Sequence, residues 1–232
     1  MLPTGDELGI VLLSLKVAFA SVAFSLPVAI GVAYLLARRD FVGKTLLDAF
    51  IHLPLVLPPV VVGFALLVLL GRNGLIGAWL ADTLGIVFAF RWTGAALAAA
   101  IMGFPLMVRA IRLSFAAIDQ RLETVARTLG GSRLGVFFSV TVPLALPGIV
   151  TGAVLSFARS LGEFGATITF VSNIPGETQT LPLAIYTFTQ TPSGDFQALR
   201  LSIISVVLSI AALIAAEWIA RRRPAATPSP DS

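Results

Sequence analysis

The sequence predicts an all-α protein: a polytopic bundle of five transmembrane helices, with a sixth span left open and one further helix on the cytoplasmic side. Its 232 residues are 57% hydrophobic and only 12% charged, whereas soluble domains carry about 25% charged residues. Five apolar stretches are long enough to cross a bilayer, which takes about 20 residues in a helix. Much of this chain therefore requires lipid as its solvent, and residues 1–223 are predicted to form one transmembrane domain.

The five predicted spans cover roughly 9–37, 46–70, 92–113, 136–158 and 199–220. Residues 75–90 are apolar but short and are interrupted by one acid, which predicts a helix at the external interface. The apolar run 136–171 is too long for one span. Gly162 and Gly165 are predicted to break it near Glu163, so that a second short helix or a re-entrant segment follows the span.

The distribution of lysine and arginine predicts the orientation of the bundle. With the N-terminus outside, eleven of the 16 basic residues fall on the cytoplasmic side, namely Arg38, Arg39, Lys44, Arg109, Arg112, Arg121, Arg127, Arg133, Arg221, Arg222 and Arg223. The loop 171–198, which would then lie outside, has none. Cytoplasmic loops carry an excess of basic residues, so we expect the N-terminus outside and the C-terminus in the cytoplasm.

The composition also excludes several classes of function. The chain has no cysteine and a single histidine, His52, which argues against thiolate metal sites, multi-histidine metal sites and cysteine nucleophiles. It contains no G-x-x-x-x-G-K-[ST] phosphate-binding loop, so we expect no ATP hydrolysis and no cofactor bound by this chain. The net charge of +4 is accounted for by the basic cytoplasmic loops and predicts membrane lipid, not nucleic acid, as the surrounding partner.

Prolines and small residues mark where the helices bend and pack. Three prolines crowd the second span, among them Pro58, and proline removes a helical hydrogen bond. A kinked packing helix and a segment lining a transport pathway both explain them, and this choice stays open. Gly148 and Gly152 form a GxxxG pattern, which allows close helix contact. The proline-rich residues 224–232 predict a disordered cytoplasmic tail.

A short amphipathic helix is predicted at 119–131, in the longest basic loop. Asp119 can cap its start, Gly130 can end it, and Glu123 and Arg127 have the spacing of an i, i+4 pair. Its apolar residues fall on one face, at Ile118, Leu122, Val125, Ala126 and Leu129. This face either lies on headgroups and its own bundle or docks into a groove of a cytoplasmic protein.

Charged and hydroxyl side chains near the glycine break are the candidates for a transport pathway or gate. Arg159 and Glu163 are four residues apart at membrane depth, where charges are costly and face the bundle interior. They form either a structural ion pair or part of a pathway gate. The hydroxyl residues Ser156, Ser160 and Thr167 lie in the same stretch and are further candidates for the pathway.

The cytoplasmic helix resembles the EAA loop of ABC importer permeases, whose pattern is E-A-A, three residues, G, nine residues and I-x-L-P. The matching positions are Val125 and Ala126 for the alanines, Gly130 for the glycine, and Val140, Val142 and Pro143 for the I-x-L-P. Thr124 occupies the place of the family glutamate, and Glu123 stands one position early. Further along, 156–181 (SFARSLGEFGATITFVSNIPGETQTL) and 51–63 (IHLPLVLPPVVVG) are similar to bacterial molybdate permeases and, more distantly, to sulfate permeases.

The resemblance implies a permease subunit that moves an oxyanion across the bacterial inner membrane. Molybdate is the favoured substrate, and sulfate or tungstate is the alternative within the family. Two copies of the chain would combine with two cytoplasmic ATPases, which use ATP and Mg²⁺, and with an external binding protein. The residues expected to couple to the ATPase are Glu123, Thr124, Val125, Ala126, Gly130 and Pro143. Those expected at the pathway or its gate are Pro58, Ser156, Arg159, Ser160, Glu163 and Thr167.

Two other classes of function compete with this interpretation. A channel or a secondary transporter that works without ATP would explain the apolar helices and the buried charges. It gives no reason for a docking helix, and the chain shows no inverted repeat of the kind found in many secondary transporters. An intramembrane enzyme would need clustered histidines or acids, which this sequence lacks.

Overall fold

The computed structural model describes the backbone of residues 5–221 and the side chains of residues 5–215, and all its regular elements are helical. The helices are α1 Gly5–Arg38, α2 Lys44–Val56, α3 Pro59–Leu70, α4 Leu75–Leu84, α5 Trp92–Ala117, α6 Gln120–Thr128, α7 Arg133–Val136, α8 Val142–Leu161, α9 Gly165–Val171, α10 Leu181–Thr189 and α11 Asp195–Arg221. A π-helical turn, Phe137–Thr141, joins α7 to α8 without a break. The predicted tail at 224–232 lies outside the described residues.

The predicted all-α membrane bundle is confirmed. Within the described residues, four helices are long and apolar enough to cross a membrane: α1, α5, the continuous 133–161 helix and α11. Each extends a few residues beyond the predicted span at one or both ends. The second span differs from its prediction: α2 and α3 are two helices bent by 112°, where one span at 46–70 was expected.

The centre of the bundle is α5, which packs between α1 and α8. Small residues make this packing close, and Ala95, Ala98 and Ala99 of α5 are almost wholly buried. At Gly152 of α8 an added Cβ would lie 2.9 Å from the Met107 backbone oxygen of α5. The predicted GxxxG contact is therefore present, and it lies between α8 and α5.

The shorter helices lie around this centre. The external helix expected at 75–90 is α4, which ends where Gly85 adopts a left-handed conformation with φ +67°. The expected break after the fourth span is also present, because α8 stops at Leu161 and the short α9 starts at Gly165. α9 packs on α3, and α10 packs on α11.

Ion pairs and one cation–π contact tie the helix ends together. At the start of the chain, Arg200 of α11 pairs with Glu7 of α1. Lys16 lies 3.7 Å above the centre of the Trp92 ring, which gives this intramembrane cation a partner that its sequence position did not reveal. At the opposite end of α1, Arg38 approaches the end of α5 and α6, so α6 lies at the end of the bundle away from Glu7.

Candidate functional site

The amphipathic helix α6 forms where its capping residues predict. Asp119 accepts a hydrogen bond from the Arg121 backbone N–H at 2.9 Å, and this satisfies one free donor of the first turn. Gly130 follows the helix with φ +92°, a conformation that glycine adopts without strain. The Gly131 N–H then closes the end on the Ala126 carbonyl at 3.1 Å. The predicted start and end of this helix are confirmed.

Most of the apolar face of α6 is left uncovered by the other residues that the structure describes. Leu122, Val125 and Leu129 are exposed, and no residue of α6 is buried. Thr124 is exposed beside them, with its hydroxyl donating to the Gln120 carbonyl. An amphipathic helix whose apolar side chains face solvent is typical of a surface that another protein covers.

Glu123 faces the bundle, and the predicted pair with Arg127 is wrong. Its Oε1 accepts a hydrogen bond from Arg38 Nη2 at 3.1 Å and another from the Thr141 hydroxyl at 3.1 Å. The same Arg38 nitrogen donates to the Ile118 carbonyl at 3.2 Å. Both side chains of this pair are largely buried, so removal of either partner would leave the other as a buried charge without compensation. One carboxylate thus connects α6 to α1 and to the π-helical turn.

Aromatic rings anchor the π-helical turn. Tyr34 of α1 meets Phe137 edge to face, with ring centroids 4.9 Å apart, and meets Phe115 of α5 in the same way at 5.5 Å. Thr141, the last residue of the turn, is buried. Pro143 is the second residue of α8, directly after this turn, and it removes one backbone N–H donor from the continuous helix. π-helical turns occur often at functional sites, and this one lies directly behind α6.

The second centre of interest is the glycine break that follows α8. Glu163 is 2% exposed, and its Oε2 lies 2.6 Å from Arg159 Nη1. That contact is Coulombic, since Oε2 makes no hydrogen bond of good geometry. Oε1 accepts the Ala166 backbone N–H at 2.9 Å and so caps the start of α9. The ion pair considered from the sequence is present, while its role in a gate stays a prediction.

The break in the second span packs against the break after α8. Pro58 precedes the first residue of α3 at the 112° bend. A Cβ on Gly165 would lie 2.8 Å from the Pro59 Cβ, and one on Gly63 would meet the Ala166 backbone. The first turns of α3 and α9 thus pack directly against each other, and each follows a break in its span. Non-helical backbone inside a membrane is either buried in protein or lines a wet cavity.

The three candidate hydroxyl residues are buried, and two of them lie in contacts between helices. Ser160 shares a 2.9 Å hydrogen bond with Ser21 of α1. Ser156 is fully buried against Gly103 of α5, and its hydroxyl has no partner in the described residues. Thr167 is buried within α9. Their contact with a transported anion stays a prediction.

Sequence reasoning missed Arg38, Thr141 and Ser21 as members of these sites. Their spacing carries no signal, because each meets its partner across helices. Among the described side chains, no group of three or more histidines and acids is placed to hold a metal ion.

Comparison with known proteins places this architecture among transport proteins. Residues 25–223 match the model of the family described as binding-protein-dependent transport system inner membrane component. The chain is 62% identical to the molybdenum transport system permease protein of Escherichia coli strain K12, over 95% of this chain and 96% of that protein. It is 57% identical to the protein of the same description from Haemophilus influenzae, over 93% and 94% of the two chains.

The fold also matches solved structures. A chain from the crystal structure of a bacterial ABC transporter that imports the acidic polysaccharide alginate superposes with a TM-score of 0.74. The match covers 96% of this chain and 82% of that one, at 17% identity. At this identity the likeness concerns the fold alone.

Proposed function

The chain belongs to the family of binding-protein-dependent transport system inner membrane components, and from that premise we propose that it is the permease subunit of an ATP-driven importer for molybdate. It is a multi-pass inner-membrane protein and a non-catalytic transporter subunit. The observation that carries the proposal is the uncovered apolar face of α6, since this is the one feature that a channel or a secondary transporter would not need. The high identity to molybdenum permeases from two bacteria supports the substrate.

The proposed assembly is a pair of these chains with two cytoplasmic ATPases and an external oxyanion-binding protein. The ATPases bind ATP and Mg²⁺, and this chain binds neither. The exposed residues Leu122, Val125 and Leu129 supply the apolar surface for one ATPase. The N-terminus lies outside, and the C-terminus lies in the cytoplasm. Support for this orientation comes from the basic residues of the inner loops.

The Glu123 contacts supply the route by which movement of α6 reaches the membrane. When the ATPases close, α6 moves with the surface on which it docks. Glu123 holds α6 to Arg38 of α1 and to Thr141 before α8, so both spanning helices follow. The far end of α8 carries Arg159 and the Glu163 break, where a change in packing against Pro59 opens or closes the pathway on that side.

The oxyanion passes with weak contacts in this scheme. The buried carboxylate of Glu163 repels an anion and is compensated by Arg159, so it is a gate or packing element and not an anion ligand. Selectivity is held by the external binding protein, since tight binding within the membrane would slow release. Sulfate and tungstate, which share the tetrahedral dianionic form, are the alternative substrates.

Copurification and uptake test the proposal. The solubilised complex is expected to contain an ATPase subunit in equal number to this chain, and cells lacking the chain are expected to lose uptake of labelled molybdate. A lone oligomer that moves molybdate without ATP would refute the ATP-driven scheme. Loss of sulfate uptake alone would refute the choice of substrate and leave the ATP-driven scheme standing.

A further inference from the structure

A polar cavity lies between α2 and α5, apart from the α6 network and the glycine break. It has a volume of about 490 Å³ and is lined by Asp48, His52, Arg109, Arg112, Leu113 and Ala116. His52 and the two arginines were assigned no role in transport by the sequence. Asp48 lies in the first half of α2 and the α5 residues lie in the second half of α5, which are the halves nearest to α6 and to the proposed cytoplasmic side; His52 follows one turn further along α2.

The cavity carries an excess of positive charge. Asp48 Oδ1 accepts a 2.7 Å hydrogen bond from Arg112 Nη1, so this pair is neutral overall. The ring of His52 is fixed by its Nδ1, which lies 2.8 Å from the Asp48 carbonyl oxygen and 3.7 Å from Oδ1. Arg109 makes no ion pair and no side-chain hydrogen bond within residues 5–215, so its guanidinium charge is uncompensated there.

The depth of Arg109 requires a polar surrounding. It precedes the end of α5 by eight residues, which is about 12 Å along a helix. A cation facing lipid at this depth is costly. Yet Arg109, Leu113 and Ala116 form the exposed stripe of this part of α5, while the other faces of the helix are mostly buried. Their i, i+4, i+7 spacing places all three on one side.

We infer that this stripe and the facing side of α2 form a water-filled cationic vestibule at the cytoplasmic mouth of the pathway, where Arg109 attracts the tetrahedral oxyanion as it leaves. The inference rests on the proposed function and adds a site to it. The Asp48–Arg112 ion pair holds α2 against α5, and the uncompensated Arg109 gives the cavity a positive electrostatic potential. An exposed single charge binds weakly, because solvent screens it, and weak binding allows release.

Cysteine accessibility tests the vestibule, because the chain has no native cysteine. Leu113→Cys is introduced into the reconstituted complex with its ATPase, and labelling is measured with an anionic and a cationic thiosulfonate reagent of similar size. Ala116→Cys replaces it if the first variant does not assemble. Val42→Cys, in the exposed loop before α2, is the control. We expect the anionic reagent to label the vestibule cysteine roughly tenfold faster than the cationic one. Clefts lined by charge of one sign raise the local concentration of counter-ions by about 10-fold or more.

Charge variants and competition complete the test. Arg109→Gln is expected to abolish the anionic preference at Leu113→Cys, Arg109→Lys to keep it, and neither to alter labelling at Val42→Cys. Sodium molybdate on the cytoplasmic side is expected to slow labelling at Leu113→Cys only. Slowing by anionic lipid without slowing by molybdate would assign the site to a lipid phosphate and overturn the inference.

Three further results would overturn the vestibule: no reaction with either reagent, equal rates for both, or an anionic preference that survives Arg109→Gln. Uptake of molybdate by the same vesicles is measured in parallel. If the vesicles take up molybdate but give any of these three labelling results, only the vestibule is rejected. If the unsubstituted complex shows no ATP-dependent uptake, the proposed function itself is rejected.

Discussion

Replacing Glu123 by glutamine tests the connection between α6 and the spanning helices. The variant keeps the side-chain shape and an acceptor for Thr141 but removes the charge that faces Arg38. The two side chains of this pair are only 13% and 7% exposed. Breaking a fully buried pair costs about 3–5 kcal/mol, whereas exposed pairs contribute up to about 1 kcal/mol.

Because Arg38 retains the Ile118 carbonyl as a partner, we expect an intermediate loss of about 1–2 kcal/mol in the attachment of α6. About 1.4 kcal/mol corresponds to a tenfold change in an equilibrium constant, so roughly a tenth of the transport per ATP hydrolysed should remain. The assay is uptake of labelled molybdate and phosphate release in the same proteoliposomes.

Asp40→Asn is the matched control for that variant. Asp40 pairs with Lys44 at 2.8 Å near the same end of the bundle, and the Lys44 ammonium lowers the pKa of this carboxyl by its hydrogen bond and its charge. The Asp40 side chain is 98% exposed, so loss of this pair should leave the uptake-to-hydrolysis ratio unchanged. Equal ratios in Glu123→Gln, Asp40→Asn and the unsubstituted complex would refute the connecting role of Glu123.

Three further predictions address docking, packing and the glycine break. Val125→Asp places a charge on the exposed face of α6, so the ATPase should fail to copurify while the permease keeps its thermal midpoint; retained copurification would count against docking there. Gly152→Val should lower the free energy of unfolding by about 1–3 kcal/mol through overpacking, measured by thermal melting in detergent. Gly31→Ala is the control, because Gly31 has open space around it, and it should not lower this free energy. Equal melting of the two variants would contradict the close α5–α8 contact. Arg159→Gln should destabilise more than Glu163→Gln, because it leaves the buried carboxylate without its cation; the reverse order in the same melting assay would contradict this account.

Local signals in the sequence predicted the elements well. The apolar windows located the four long spanning helices, because burial in lipid needs a long run of apolar residues. Asp119 and Gly130 gave the limits of α6 because caps act within one helical turn. The same local character explains the error at Glu123: spacing suggested Arg127, but the partners Arg38 and Thr141 are fixed by helix packing.

Contacts between distant segments could not be predicted in this way. The proline cluster and the glycine break were both recognised as irregular. Their mutual contact, Gly165 on Pro59, depends on how α3 and α9 are oriented in three dimensions. Likewise, Asp48 and Arg112 have no sequence relation that distinguishes them from the other acids and arginines of the chain, and only the packing of α2 beside α5 brings them to 2.7 Å.

The glycine contacts between α5 and α8 have a mechanical consequence. Because the backbones of α5 and α8 touch at Gly152, no side chains lie between them there that would let one helix slide past the other. These two helices should therefore move as one rigid arm during the transport cycle. The pliable joints are then the stretches without helical hydrogen bonding, around Pro58 and around Gly162. A short displacement of the arm at the end nearest to α6 should then reach its other end and become a rotation at those joints.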